Sequence, residues 1–476
     1  MRHEKESAVS VMCLRAAALA AALWLGVGAA GQAGLCQIAK LLAADGAAGD
    51  LFGRGLSVCG DVAVVGAYVG DGLESDSGAA YICRFNGASW VQEQKLLAND
   101  GAASDRFGWS VSVSGDVVVV GADYDDDNGN YSGSAYIYRF NGTTRVQEQK
   151  LLAADGATGD FFGICVSVSG NVAVVGASLN DDNGVSSGSA YVYRFNGSTW
   201  VQEQELLASD GAAYSFLGGS VSVSGDVAVV GAYGDDDFGS NSGSAYVYRF
   251  NPGLPGWVEE QKLLASDGAV LARFGISVSV SDDVALVGAD FGDGLVSDSG
   301  SAFVYRFNGA AWVQEQKLTA SDGAAVDQFG RSVSVSGDVA VVGASGDDDD
   351  VRFSSGSAYA YRFNGSSWVQ EQKLLASDGA TGDFFGAHVS ISGDVAVVGA
   401  YGDDENGGVS GSAYVFSLSN ACPADTDCDG AVNVTDLLNL FAAWGPNPGH
   451  AADINGDGAV NVTDLLALFA SWGGCS

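Results

Sequence analysis

The chain has 476 residues, and 58 acidic against 21 basic side chains give a net charge of −37, which excludes a nucleic-acid binder working by phosphate neutralisation and a basic membrane-surface protein. Gly supplies 69 residues, yet 47% of the chain is hydrophobic and 10% aromatic, so it is neither disordered nor collagen-like and can bury a large core. Only three histidines occur, His3, His388 and His450, which counts against acid–base chemistry near neutral pH.

In chain order, Arg2, Lys5 and Arg15 come first, followed by an uncharged Ala/Leu-rich run from Ala16 to Ala30 and a further small residue at Ala33. This layout predicts a signal peptide over 1–33, and so a secreted or cell-surface protein. The run is too short to favour a spanning helix, and no transmembrane segment is expected after cleavage. Cys13 leaves with the signal, and the seven remaining cysteines are odd in number, so a complete disulfide framework is not implied.

A Phe-Gly pair then recurs at Phe52, Phe107, Phe162, Phe274, Phe329 and Phe385, with Leu217-Gly218 as a variant, at spacings of 55, 55, 55, 57, 55 and 56 residues. Each is followed by a Gly-Ala pair, from Gly66-Ala67 to Gly399-Ala400. In the second repeat Ser110 to Ser114 alternates serine with valine, Gly115-Asp116 turns, and Val117 to Val120 continues. Period-two patterning around a tight turn predicts a strand pair. Beyond an Asp-rich loop, Ser134 to Phe140 and Val146 to Leu151 flank the Asn141-Gly142 turn, which completes a four-stranded antiparallel meander. The polar Gln-Glu-Gln-Lys stretch suits an outermost strand, where charge discourages edge-to-edge pairing. The last repeat ends near Ser417 without a fourth strand, whereas Gln37 to Leu42 precedes the first repeat and aligns with Gln147 to Leu152. Seven sheets of four strands then balance, as in a ring closed by its termini.

These signatures resemble FG-GAP repeats, which form the seven-bladed propeller of integrin alpha subunits and occur in secreted bacterial proteins; the likeness spans 37–418. In integrins calcium loops of the form Asp-x-Asp-x-Asp-Gly accompany the fold, and no propeller loop here reproduces that spacing. The loops between second and third strands and those between blades are expected on one side of the disc, where they gather 34 of the 58 acids, suited to turn chemistry and solubility or to a cation or basic partner. The innermost strands begin with Arg54, Trp109, Ile164, Gly219, Ile276, Arg331 and Ala387. Of these, Arg54, Trp109 and Arg331 suggest either a small anion or sugar site or irregular packing at the channel mouth. Cys165 and His388 are the one nucleophile–base combination in view, but they belong to blades far apart in the ring.

The composition changes after Asn420. Asp425, Asp427, Asp429, the Ala431 carbonyl, Asn433 and Asp436 occupy positions 1, 3, 5, 7, 9 and 12 of an EF-hand-like loop with Gly430 at position 6, the oxygen-rich spacing that a hard cation requires. A second loop repeats the pattern 28 residues later with Asp453, Asn455, Asp457, the Ala459 carbonyl, Asn461 and Asp464, and Gly458 at position 6. Amphipathic helices are predicted over Asp436 to Trp444 and Asp464 to Trp472, with Leu and Phe residues packing on each other. Cys422 and Cys475 stand at the ends of the segment, where they can clasp it, while Cys428 has no obvious mate.

This pair of loops resembles a type I dockerin, a calcium-folded module that binds a cohesin. The likeness covers 422–475, and Asp at position 12 fits it. The resemblance implies cohesin contacts at loop positions 10 and 11, here Val434-Thr435 and Val462-Thr463. The sequence therefore reads as an all-β, seven-bladed propeller of four-stranded blades (37–418) closed by an N-terminal strand, plus a small α-helical dockerin-like calcium module (422–476). The function expected is an exported, non-catalytic attachment protein. Its propeller recognises an extracellular protein or glycan, and its C-terminal module binds calcium and a cohesin-like protein. The alternative is an enzyme or component of extracellular polysaccharide degradation, of glycoside hydrolase or lyase type.

Overall fold

Alternation decides the innermost strand of every repeat. In Ser110–Ser114 the valines are buried and the serines half-buried, because successive side chains point to opposite faces. The valines pack on the preceding sheet, and the serine hydroxyls reach the following one. Around the ring, the backbone N–H groups of Val58, Val113, Val168, Val223, Val280, Val335 and Ile391 donate to Ser390, Ser57, Ser112, Ser167, Ser222, Ser279 and Ser334 at 3.0 to 3.1 Å. The second strand, Val117–Ala122, is buried throughout, as a strand covered on both faces must be.

The computed structural model describes residues 36–253, 256–348, 353–418, 424, 431–432, 434–446, 452–454 and 459–474. The expected signal segment 1–33 and the cysteines Cys422, Cys428 and Cys475 lie outside them. These residues fall into two compact units, one within Leu35–Ser419 and one within Asn420–Ser476. The first unit holds seven four-stranded antiparallel sheets in a propeller ring. The seventh is composite: Cys36–Leu41 pairs antiparallel with Ser412–Ser417, one residue earlier than the sequence suggests. Leu41 and Phe52 share a core cluster with Val397 and Val415, so the first and last blades join as the others do.

The two glycine signatures explain each other. Gly163, of a Phe-Gly pair, has φ +92°, and a Cβ on Gly121, of the preceding Gly-Ala pair, would overlap its carbonyl. Backbones of adjacent blades meet there, and only hydrogen fits. Phe162 beside it is fully buried and packs edge-to-face on Tyr191 at 5.5 Å, a burial that contributes about 2–3 kcal/mol.

The polar outer strand does more than guard an edge. Gln149 Nε2 donates to the Trp200 carbonyl at 2.7 Å, and its Oε1 accepts from Trp200 N at 2.8 Å. A bulge leaves Glu148 out of the register, and that carboxylate bonds Arg139 on its own blade and the indole N–H of Trp200 on the next.

The second unit contains helices α1 (Val434–Ala442) and α2 (Val462–Ala470). Both begin two residues before the predicted start, since Asn461 caps α2 and Asp464 completes a capping box in place of starting the helix. Ala431–Val432 pairs with Gly473–Gly474, and Gly445–Pro446 pairs with Ala459–Val460, a reciprocal exchange that relates the two halves. Val432, Leu440, Ile454, Val460 and Leu468 form the core. Among the described residues, no helix is long and apolar enough to cross a membrane.

Candidate functional site

The two sets of acidic loops do meet on one side of the disc, and lysines bind them together. Lys150, near the end of its outer strand, lies 2.9 Å from Asp100 of an inter-blade loop and 2.8 and 2.6 Å from Asp125 and Asp127 of the loop after the second strand. Burial opposes the charge on Lys150, but these three carboxylates outweigh it and raise its pKa. Lys40 and Lys262 are held in the same way, Lys373 binds Asp322 and Asp347, and Lys95 and Lys317 bind Asp45 and Asp267. Asp50, Asp105, Asp160, Asp327 and Asp383 instead accept a backbone N–H three residues earlier. Burial pushes Asp105 and Asp327 up to about 6. Turn formation and lysine clamps thus occupy many of the acids that the sequence offers to a cation or basic partner.

The central channel brings Arg54, Trp109 and Arg331 to the wall of a cavity of about 500 Å³, together with Arg273, Tyr233, Cys165 and His388. The Arg54 guanidinium stacks on Trp109 at 4.3 Å and touches His388 Nε2. Burial, reinforced by Arg331, pushes Arg54 down to about 10. Burial, then Arg54 and Arg331, also lowers His388 well below its usual range, so it stays neutral and accepts. Cys165 accepts from Val221 N at 3.3 Å, and burial raises its thiol. Among the described residues no contact joins Cys165 to His388, and each is engaged elsewhere. Cys59 and Cys83 are free thiols.

In the C-terminal unit the two position-12 carboxylates, Asp436 and Asp464, are fully buried, and Asp453 nearly so. Asp464 accepts from Asn461 N at 2.8 Å, Asn461 Nδ2 donates to the Ala459 carbonyl at 2.9 Å, and Asn461 Oδ1 accepts from Thr463 N. Ala431, whose carbonyl is the position-7 oxygen, lies in the small ladder to Gly474. Asp425, Asp427, Asp429, Asn433, Asn455 and Asp457 lie outside the described residues. The segment 422–476 contains seven aspartates and no lysine or arginine. Buried carboxylates need a compensating charge, and the donor set, all carboxylate, carboxamide and carbonyl oxygen, suits a hard cation.

Helices α1 and α2 each leave the same four apolar side chains exposed: Val434, Leu438, Phe441 and Trp444 on one, and Val462, Leu466, Phe469 and Trp472 on the other. Phe441 and Phe469 therefore do not pack between the helices, as the sequence suggests. They turn outward against Trp444 and Trp472 at 5.8 and 5.6 Å, and Leu437, Leu440, Leu465 and Leu468 take the interior.

Seven segments, 36–83, 90–138, 146–193, 200–248, 257–305, 312–361 and 368–416, match the FG-GAP repeat, together more than half of the chain. The chain belongs to the FG-GAP repeat family. Residues 423–470 match the dockerin type I domain. Among curated proteins no relative matches. Dockerin type I domains bind calcium and cohesins in general. Sequence reasoning missed the duplicated apolar faces of this dockerin domain and the lysine clamps of the FG-GAP blades. A signal existed for the clamps, since a lysine ends the outer strand of six blades.

Proposed function

We propose that this is an exported, non-catalytic attachment protein. The dockerin domain docks on a cohesin-like partner, and the FG-GAP propeller presents a surface for an extracellular protein or glycan. In this reading, 1–33 is a signal peptide, 37–418 the propeller and 422–476 the docking module. Asp425, Asp427, Asp429, the Ala431 carbonyl, Asn433 and Asp436 hold one calcium ion, and Asp453, Asn455, Asp457, the Ala459 carbonyl, Asn461 and Asp464 hold the other. The carrying observation is the burial of Asp436 and Asp464 in a segment without lysine or arginine, beneath two exposed Val/Leu/Phe/Trp faces. Calcium supplies the positive charge that lets those carboxylates leave water, and folding and ion binding become one event.

Exposed aromatic and aliphatic anchors are what a protein partner buries at the centre of an interface. On the propeller, the Arg54 guanidinium at the wall of the channel cavity suits a ligand with a carboxylate. Titration of the full chain with a panel of type I cohesins, in calcium and in chelator, tests the docking role. Saturable binding in calcium that is lost in chelator is expected, and at least about tenfold weaker binding when Phe441, Trp444, Phe469 and Trp472 are all changed to alanine. Binding unaffected by chelator or by these changes refutes it.

A further inference from the structure

The residue that opens the innermost strand is uncharged in blades two to five, arginine in blades six and one, and alanine in blade seven between them. Arg331 and Arg54 thus flank Ala387 and His388 of blade seven, and Arg273 joins them from the loop that leads into blade five. A cavity of about 360 Å³ opens on these residues, and it shares the three arginines and His388 with the channel cavity of about 500 Å³. Among the described residues no aspartate or glutamate lines either cavity, in a chain that carries 58 acids against 21 bases.

Counter-charge is short at this place. Asp290 binds Arg273 and reaches Arg331 only at 3.5 Å. Arg54 has no carboxylate partner among the described residues; it contacts the Trp109 ring at 4.3 Å and His388 Nε2. Three guanidiniums therefore face one carboxylate, an excess of two positive charges. Burial and then the Arg331 charge depress Arg54, and burial and then both arginines depress His388. A half-buried cation without an opposite charge is costly, and an anion in the cavity removes that cost.

We propose that the mouth of the propeller channel binds the carboxylate of an acidic sugar between Arg54 and Arg331. The site rests on reading the propeller as a domain that presents a ligand surface, and it names the class of ligand. The planar fork of a guanidinium matches the two oxygens of a carboxylate. Beyond the arginines the wall is polar but neutral, for Gln328, Ser345, Tyr401 and His388 supply amide, hydroxyl and imidazole groups, which are partners for ligand hydroxyls. Ser345 Oγ donates to Gln328 Oε1 at 3.2 Å, so the Gln328 amide N–H groups are left to donate. Phe384, stacked on Tyr401 at 5.3 Å, and Phe291 add apolar surface. A carboxylate on a hydroxylated ring presents the same three kinds of group, and both cavities have the size of a small-molecule site, about 300–1,000 Å³. The surface of a folded partner does not enter a channel of this size, so the ligand is a free sugar acid or the end of a chain.

Isothermal titration of the full chain with D-glucuronate and D-galacturonate, beside glucose, acetate and glucose 6-sulfate, tests this on the wild type, Arg54→Gln and Arg331→Gln. Saturable binding of a uronate at one site per chain is expected, at least about tenfold weaker in each variant, with no binding of glucose. Each substitution removes a poorly paired charge, so neither should lower the melting temperature, and the variant that keeps the wild-type value carries the comparison. Trigalacturonate binding more tightly than the monosaccharide supports a chain end as the ligand, and equal or weaker binding supports the free acid. The site is overturned if neither uronate binds, if binding is unchanged by the substitutions, or if acetate or the sulfate ester binds as tightly. Cohesin titration of both variants is expected to match the wild type, so absent uronate binding with intact cohesin binding overturns the site and leaves the attachment role standing.

Discussion

Asp123 and Asp290 hold the same place after the Gly-Ala pair in blades two and five, and both are fully buried, yet their surroundings differ. Asp290 meets two guanidiniums, Arg273 and Arg331. Asp123 has one ion pair, to Arg106 at 3.3 Å, and its Oδ1 has no partner. Burial wins over that single pair and pushes the Asp123 carboxyl up to about 7, above the unfolded value of about 3.9. The folded state therefore holds this proton more tightly. Its contribution to stability is complete below about pH 4 and is lost as pH rises through 7. Asp123→Asn, which stays neutral, should gain in melting temperature relative to the wild type between pH 4.5 and 7.5. A difference that does not change with pH contradicts this account. Residue identity was legible here, but the partners were not, because Arg106 comes from the preceding loop and the number of guanidiniums in reach is set by how blades meet.

At the scale of the element, the strands followed from alternation and turn residues almost to the residue, since a slip by one would move every valine from the core to the other face. Glycine matters where backbones approach. Gly121→Ala places a methyl against the Gly163 carbonyl and should cost about 3 kcal/mol in urea denaturation. Gly142, in the Asn-Gly turn with φ +98° and open space around it, should cost only about 1 kcal/mol as alanine, from its backbone conformation alone. Equal losses at the two positions would remove close approach as the reason for the Gly-Ala signature. The helices were less legible. Their apolar residues were plain, but which of them face inward was not. The core of so small a unit takes Leu437, Leu440, Leu465 and Leu468 and leaves the phenylalanines outside.

For the whole molecule, closure of the ring is the decisive event. Cys36–Leu41 gives the last blade its outer strand, and Lys40 adds the clamp to Asp378, Asp403 and Glu405. A chain starting after Leu41 leaves Ser412–Ser417 as an unpaired edge and uncovers the Val397 and Val415 cluster. Such a chain should unfold at lower urea than the intact protein, with a broadened transition by tryptophan fluorescence, and should scatter light at concentrations where the intact ring does not. An unchanged midpoint would mean that the seventh blade is stable with three strands.

Sequence by itself determined the number of blades, the four strands of each, the strand exchanged between termini, and the dockerin domain. These are properties of local period and spacing, carried by residues close together in the chain. Tertiary structure alone decided that lysines clamp the acidic loops to one another and that Cys165 and His388 stay apart. Those outcomes depend on side chains from separate loops and strands meeting across a blade, and a one-dimensional pattern does not record the distances between them.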